Sequence, residues 1–255
     1  MKYTLIVDLG NTNAKFNIFS GEKLVCYTPV KVRKSKFIYL SVKLIEMLRA
    51  NSIKREDIVD GMIFSVVPSL SKRVQRIVRH VLKVKLEIFR NKNINFDMVG
   101  IPDMNEIGAD LLGDIIGALE MYKTPMMIVD LGTITKSLFI NEQKELIGAS
   151  FIPGLDLSLH LMKNNTGLLP TSRVQKPKTW YGTNTLETMN TGAYFSNVCA
   201  VRFYKQMMEK DNKNITFILS GGYSSLIEDH VKPDFVEPHL AAIGMNYIYR
   251  KYMKK

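Results

Sequence analysis

Short apolar stretches that end in small polar residues mark the predicted strands of this chain. Residues 5–8 (LIVD) and 16–19 (FNIF) are predicted to form two strands joined by a tight turn at residues 10–13. Glycine and asparagine in that turn tolerate the positive φ angles that a short hairpin requires. The same pattern occurs again at residues 126–141 and is followed by a strand-like stretch at 145–151. The repetition predicts two similar halves, each of which begins with a β-hairpin.

Apolar residues at helical spacing alternate with further strand-like stretches. Helices are predicted at residues 37–50, 107–122, 156–162, 186–209 and 240–252, and along an apolar face from Val74 to Leu82. Strands are predicted at residues 61–67, 85–89 and 215–219. This alternation predicts α/β lobes in which mixed sheets are covered by helices. We place the boundary before residues 123–125, which gives lobes of residues 1–122 and 123–255 that face a common cleft.

The length and composition are compatible with two ordinary hydrophobic cores. The chain has 255 residues, of which 46% are hydrophobic. The sequence shows neither a secretory leader nor an apolar stretch approaching the ~20 residues of a membrane span. Two cysteines, Cys26 and Cys199, are too few and too distant to indicate a disulfide framework or a zinc site. We therefore expect a soluble protein of the cytoplasm.

The net charge of +11 is compatible with a nucleic-acid partner or with a polyanionic substrate such as a nucleotide. The basic residues are spread along the chain, with clusters at residues 31–36, 72–79 and 250–255. No aromatic RNA-binding platform, zinc finger or basic-region zipper accompanies these clusters in the sequence. Solvated basic faces are therefore favoured over a nucleic-acid site.

Three predicted strands end in glycines and small polar residues. These ends are Asp8-Leu9-Gly10-Asn11-Thr12, Asp130-Leu131-Gly132-Thr133 and Ser220-Gly221-Gly222-Tyr223. Glycine lets backbone N–H groups approach an anion closely, while threonine and asparagine add donors without negative charge. An aspartate at such a position can hold a hydrated cation that bridges phosphate oxygens, and the nearby Lys15 can reach a phosphate.

A single turn of this kind is also typical of an ordinary Asx-turn in a hairpin. Two matched copies and a Gly-Gly strand end together favour a nucleotide site. The sequence contains neither a Walker-type GxxxxGK[ST] loop nor a GxGxxG dinucleotide turn, so the predicted site belongs to neither of those classes.

The predicted helix that begins at residue 107 carries two aspartates, Asp110 and Asp114, one turn apart. Asp110 suits a general base that accepts a proton from a substrate hydroxyl attacking a γ-phosphate. It equally suits a structural role, because a carboxylate in the first turn complements the helix dipole. The spacing alone does not separate these two interpretations. The four histidines lack the spacing of metal ligands, so a histidine-based metal site is not predicted.

At these residues the sequence resembles the type III pantothenate kinases of the actin-like, sugar-kinase superfamily, and the match runs over nearly the whole chain. The turn at residues 8–13 is similar to their DxGNTN motif, and Gly108-Ala109-Asp110 to the start of their GADR motif. Further similar motifs follow in family order: GMIFSVVP at 61–68, DLGT at 130–133, GASFIPGL at 148–155, GTNT at 182–185 and SGG at 220–222.

The resemblance implies two actin-like, ribonuclease H-like lobes with a nucleotide cleft between them. It implies a homodimeric enzyme that phosphorylates pantothenate with ATP, the first step of coenzyme A biosynthesis, with part of residues 166–185 at the dimer interface. Asp110 is then the catalytic base, Asp8 holds Mg²⁺ with ATP, and Asp130 holds a monovalent cation, potassium or ammonium. The implied ATP-binding residues are Asp8, Leu9, Gly10, Asn11, Thr12, Asn13, Ala14, Lys15 and Thr133. The implied substrate-binding residues are Phe96, Gly108, Ala109, Asp110, Leu111 and Thr185.

Several residues depart from the family pattern, mainly on the acceptor side. Leu111 stands where GADR has an arginine near the pantothenate carboxylate, and losing such a donor costs about 1.5–3 kcal/mol. Phe96 stands where tyrosine is common, Asp114 where asparagine is frequent, and Lys136 where threonine is usual. Lys136 and Arg73 are candidates for supplying the missing positive charge.

These departures leave two alternatives to pantothenate phosphorylation. One is a kinase with a changed acceptor that lacks a carboxylate, such as pantetheine. The other is a non-catalytic regulator like the Bvg accessory factors of the same family, to which a charge of +11 would also be suited. Steep salt dependence of DNA binding would distinguish the regulator.

Overall fold

The computed structural model describes residues 1–32, 37–90, 107–212 and 214–253. These residues form two compact units, each built around one mixed sheet. The first unit takes its described residues from 1–90, 107–120 and 241–253, and the second contains residues 121–240. The chain therefore passes from one unit to the other next to the predicted boundary.

The strands of the first unit form a five-stranded sheet in the order β3-β2-β1-β4-β5. They are β1 (Tyr3–Leu9), β2 (Asn13–Ser20), β3 (Lys23–Lys31), β4 (Ile58–Ser65) and β5 (Glu87–Ile88). Strand β1 is antiparallel to β2 and parallel to β4. Two helices of this unit are α1 (Phe37–Ala50) and α2 (Pro68–Leu82). The predicted hairpin and both predicted helices are confirmed.

Burial explains why β1 is nearly continuous in apolar residues. Leu5, Val7 and Leu9 are fully buried in the core, and Ile6 between them is buried as well. A strand covered on both faces does not alternate between apolar and polar positions. The predicted apolar face of α2, Val74 to Leu82, packs into the same core as Leu5.

The second unit repeats this topology. Its sheet has the order β10-β9-β6-β7-β8, with β6 antiparallel to β7 and parallel to β9. The strands are β6 (Met126–Leu131), β7 (Ile134–Ile140), β8 (Leu146–Pro153), β9 (Thr216–Ser220) and β10 (Phe235–Val236). Its helices are α4 (Leu155–Asn164), α5 (Thr185–Asp211) and α6 (Ser224–Val231). The predicted internal repeat is therefore present in strand order and strand direction.

Two further helices are α3 (Ala109–Met121) and α7 (Leu240–Ile248). Residues 241–253, which the sequence analysis assigned to the second lobe, belong to the first unit. Glycines explain this difference, because a Cβ atom on Gly244 would lie 1.9 Å from the carbonyl oxygen of Gly113. Only residues without side chains allow α7 to approach α3 so closely. Asn246 Nδ2 also donates to the carbonyl of Gly21 at 3.0 Å.

Among the described residues, no helix combines the length and the apolar character needed to cross a membrane.

The phenol of Tyr249 predicts how the stability of the first unit changes in alkaline solution. Burial, and then the neighbouring Asp60 carboxylate, raise the pKa of Tyr249 from 10.0 to about 12. Between those values the unfolded chain loses this proton and the folded chain keeps it, so stability falls as the pH rises. The loss amounts to about 1.4 kcal/mol per pH unit in that window.

Tyr249→Phe removes this titration. In urea unfolding at several alkaline pH values, the wild type is expected to lose stability faster than the variant by about 1 kcal/mol per pH unit. Equal pH slopes for the two proteins would contradict the raised pKa.

Candidate active site

The first predicted turn lies at the carboxyl end of β1, the central strand of its sheet. Asp8 is 6% exposed there and lies opposite Lys15 in the β1–β2 register. Lys15 Nζ is 3.0 Å from Asp8 Oδ2, and the Lys15 side chain is 39% exposed. The turn closes with a hydrogen bond from Gly10 N to Asn13 O of 2.9 Å. A partly exposed lysine side chain thus lies beside a nearly buried carboxylate at a strand end.

The predicted ATP-binding residues of this turn differ in what they can offer a ligand. The side chains of Leu9 and Ala14 are fully buried in the core, so these two residues can contribute only backbone groups. Asn11 is exposed, and Thr12 and Asn13 are partly exposed. The turn can therefore present amide, hydroxyl and backbone N–H donors to an anion.

Asp110 lies near the same end of the first sheet. It is in the first turn of α3, two residues after Gly108. A Cβ atom added to Gly108 would lie 2.6 Å from Asp110 Oδ1 and 3.3 Å from Val66 Cγ1. Val66 follows β4, and its N–H donates to the carbonyl of Leu9 at 3.1 Å. The structure therefore brings Asp110 to the edge at which β1 and β4 end.

Burial distinguishes the two aspartates of α3. Asp114 is 0% exposed, whereas Asp110 keeps partial exposure. A substrate can therefore reach Asp110 from solvent but not Asp114. Of the two neighbours of Asp110 in the chain, Leu111 is partly exposed and Ala109 is buried.

The corresponding end of the second sheet holds a tighter ion pair. Asp130 on β6 and Lys136 on β7 lie opposite each other, with Lys136 Nζ 2.6 Å from Asp130 Oδ2. The two side chains are only 10% and 11% exposed. Ser220, which is 2% exposed, lies opposite Asp130 on β9. Lys136 was proposed from sequence as a source of charge for the acceptor, but its charge is already balanced by Asp130.

Three glycine-bearing segments meet around this pair. A Cβ atom on Gly221 would lie 2.4 Å from Asp130 Oδ1, and one on Gly132 would lie 3.8 Å from both carboxylate oxygens. Gly154, which follows β8, donates its N–H to Thr133 O at 3.1 Å. The DLGT, GASFIPGL and SGG motifs are thus brought together, and Thr133 is exposed among them.

The GTNT motif forms the start of α5. The side chain of Asn184 accepts a hydrogen bond of 3.0 Å from the Glu187 N–H, as an N-cap does. The Glu187 carboxylate accepts hydrogen bonds from the N–H and hydroxyl groups of Thr183, which hold the pKa of Glu187 below its usual value. Thr185 is the first residue of the helix, and its side chain is exposed.

One feature of the site, an ion pair in the second hairpin, was not predicted from the sequence. This feature is the Asp130–Lys136 pair, although the positions of the two residues in the second hairpin offered a signal for it. Ser220 was named at a predicted strand end, and the structure shows that it is buried there. Phe96 lies outside the described residues. Within the described ranges, no group of three or more His, Cys, Asp or Glu side chains could hold a metal ion.

Solved structures with this fold agree with the two-sheet topology. The chain aligns with a Campylobacter jejuni protein described as a Baf family transcriptional activator, with a TM-score of 0.56 and 15% identity over 97% of this chain and 98% of that one. It also aligns with the activator of the 2-hydroxyisocaproyl-CoA dehydratase from Clostridium difficile with bound ADPNP. That TM-score is 0.51, with 12% identity over 99% and 98% of the two chains. These likenesses confirm the predicted mixed α/β fold.

Relatives found by sequence identify the family to which the chain belongs. A type III pantothenate kinase from Citrifermentans bemidjiense is 30% identical over 251 residues, which cover 97% of this chain and 98% of the relative. The sequence model of the type III pantothenate kinases matches residues 4–206. The chain therefore belongs to the type III pantothenate kinase family.

Proposed function

We propose that this protein is an ATP-dependent kinase that phosphorylates pantothenate to 4′-phosphopantothenate, the first step of coenzyme A biosynthesis. The observation that carries the proposal is membership of the type III pantothenate kinase family over most of the chain. We place the reaction in the cytoplasm, a reducing compartment that suits the free Cys26 and Cys199.

The first hairpin turn supplies the chemistry for the ATP phosphates. Gly10 and the polar residues after it offer donors, and Lys15 has enough exposure to leave Asp8 for a phosphate oxygen. Mg²⁺ in kinase sites is usually held by one or two carboxylates together with waters and substrate phosphates. A single carboxylate such as Asp8 therefore fits Mg²⁺ that arrives with ATP. Bound Mg²⁺ would neutralise charge on the triphosphate.

The chain's own residues perform the remaining steps. Asp110 accepts the proton of the pantothenate hydroxyl as that oxygen attacks the γ-phosphorus. The hydroxyl of Thr133, exposed beside Gly132, donates to the nucleotide. Thr185 at the start of α5 offers a hydroxyl group to the acceptor. The leaving group is ADP, and phosphoryl transfer needs positioning and charge stabilisation rather than covalent catalysis.

Leu111 predicts weak recognition of the pantothenate carboxylate. Leu111→Arg is expected to lower the KM for pantothenate by about tenfold or more, because a charge-assisted hydrogen bond contributes about 1.5–3 kcal/mol. Pantetheine has no carboxylate, so its KM is expected to change little, and it serves as the matched control substrate. Steady-state ADP release with each acceptor measures both values.

The same assay tests the proposed function against its alternative, a kinase with a changed acceptor. Turnover with pantothenate supports the proposal, whereas turnover with pantetheine alone shows that the acceptor has changed. An equal effect of Leu111→Arg on both acceptors would contradict a carboxylate subsite at Leu111.

A homodimer is part of this proposal. Residues 165–184, all of which the structure describes, form neither a helix nor a strand, yet carry Leu168 (96% exposed), Trp180 (78%) and Tyr181 (50%). Hydrogen bonds fix this segment to α5: Gln175 N donates to Asn190 Oδ1 at 3.0 Å, and Asn190 Nδ2 to Ser172 Oγ at 2.7 Å. A fixed segment with exposed apolar side chains suits a second copy of the chain.

Trp180→Ala is expected to weaken the dimer by about 2 kcal/mol or more, since tryptophan is enriched among interface hot spots. Light scattering over a concentration series measures the dissociation constant. Ile38→Ala, which shortens a 72% exposed side chain on α1, is the control and should leave it unchanged. A monomeric wild type at all concentrations would contradict the proposal.

A further inference from the structure

The carboxylate expected to hold a monovalent cation already has a cationic partner. Lys136 lies directly opposite Asp130 in the β6–β7 register, with its Nζ 2.6 Å from Asp130 Oδ2. Each side chain is about nine-tenths buried. A buried charge-assisted contact of this length is a fixed part of the structure, because separating it would leave both charges without compensation.

The pair lies at the strand end where the second unit offers its glycine turns. The Asp130 carboxylate packs closely against Gly221 and lies near Gly132. Ser220 is buried opposite Asp130 on β9. Thr133, the proposed nucleotide contact of this unit, is three residues from Asp130. A negative charge here without a counter-charge would repel a triphosphate.

The equivalent pair in the first unit behaves differently. Asp8 and Lys15 occupy the same register positions of their hairpin, but their contact is 3.0 Å and Lys15 is 39% exposed. Lys15 can leave the Asp8 carboxylate for a phosphate oxygen without being desolvated. Lys136, at 11% exposure, has no such freedom and stays with Asp130.

Potassium or ammonium does not fit beside Asp130 while Lys136 is present. Such ions are held by oxygen ligands, and Asp130 Oδ2 is already bonded to Nζ. A second monocation on the same carboxylate would also be repelled by the ammonium group a few ångströms away. The Lys136 side chain carries the same single positive charge as the potassium or ammonium ion that it would exclude.

We propose that the ammonium group of Lys136 replaces the monovalent cation at Asp130, so that this kinase binds ATP without added potassium or ammonium. Lys136 is then a positioning residue, which keeps the Asp130 carboxylate neutralised beside the nucleotide. The inference rests on the proposed kinase function, but it concerns a property that can be measured without turnover.

The first experiment uses the unmodified protein. ATP affinity with Mg²⁺ is measured by calorimetry in potassium, ammonium and choline chloride of equal ionic strength, and Tm is measured in the same salts. The dissociation constants are expected to agree within about twofold. Affinity that rises tenfold or more specifically with potassium or ammonium would overturn the inference.

Lys136→Ala opens the position to an external ion. In choline chloride this variant is expected to bind ATP about tenfold or more weakly than the wild type, and potassium or ammonium is expected to restore the affinity and raise its Tm. Lys210→Ala, an exposed lysine near the end of α5, is the charge-matched control. A folded Lys136→Ala that responds to neither ion would also overturn the inference.

The outcomes separate this inference from the proposed function. Potassium-dependent ATP binding by the wild type contradicts the role of Lys136 and leaves the kinase proposal standing. Absence of ATP binding in every salt contradicts the kinase proposal, and the Tm of Lys136→Ala with and without potassium then still reports whether Lys136 fills a cation position. Should Lys136→Ala fail to fold, the salt series on the wild type decides.

Discussion

Asp110→Asn is expected to reduce turnover by about 10²–10⁴-fold, the range that a general base contributes. Asparagine keeps the shape of the side chain but cannot accept the proton of the attacking hydroxyl. ATP binding is expected to change by no more than about twofold, because the proposed nucleotide contacts are made by the turn after β1 and by Thr133. Rapid-quench measurement of the chemical step, together with calorimetry of ATP binding, gives both values.

The alternative role of Asp110 predicts a different result. If the carboxylate only complements the dipole of α3, its loss costs about 0.3–1 kcal/mol of stability and leaves the chemical step unchanged. Asp211→Asn makes the same charge change at an exposed position at the end of α5 and is the control. Full turnover by Asp110→Asn would therefore exclude the base assignment.

Gly221→Ala is expected to lower the free energy of unfolding more than Asp110→Asn does. Gly221 has φ of 88°, and an added Cβ atom would lie 2.4 Å from Asp130 Oδ1 and 2.6 Å from Leu131 N. Left-handed strain and overpacking together predict a loss of about 2–4 kcal/mol in the free energy of unfolding. Because the clash displaces the Asp130 carboxylate, ATP affinity is expected to fall as well.

The adjacent glycine provides a matched control. A Cβ atom on Gly222 would meet nothing within 4 Å. Gly222→Ala is therefore expected to stay within about 0.5 kcal/mol of the wild type in urea unfolding. Similar losses for the two variants would show that the Gly221 contact with Asp130 is not what determines stability at this turn.

Much of the fold follows from local patterns in the sequence. The apolar runs and glycine turns predicted both hairpins, and the 3.6-residue spacing of α1 and of the α2 face placed those helices correctly. The internal repeat was visible because β1 and β6 are each central strands, and burial forces both toward the same apolar composition.

Long-range packing was less predictable. Residues 241–253 follow the second unit in the chain but pack in the first, through the close contact of Gly244 with Gly113. The two glycines are far apart in sequence, and no local pattern distinguishes a packing glycine from a turn glycine.

The Asp130–Lys136 pair was missed for a similar reason. The turn after β1 spans three residues and the turn after β6 spans two, so the two aspartates are separated from their lysines by different numbers of residues. A hairpin register depends on the length of its turn, and a shift of one residue moves every side chain to the other face. Only the register of β6 and β7 shows that Lys136 lies opposite Asp130.

The most direct test of the central claim is to identify the phosphorylated product. The purified protein is incubated with ATP, Mg²⁺ and pantothenate, and the products are followed by phosphorus NMR and mass spectrometry. We expect 4′-phosphopantothenate and ADP in equal amounts, and both to form about 10²–10⁴-fold more slowly with Asp110→Asn. ATP that binds tightly but yields no 4′-phosphopantothenate at saturating pantothenate, with or without potassium, would contradict it.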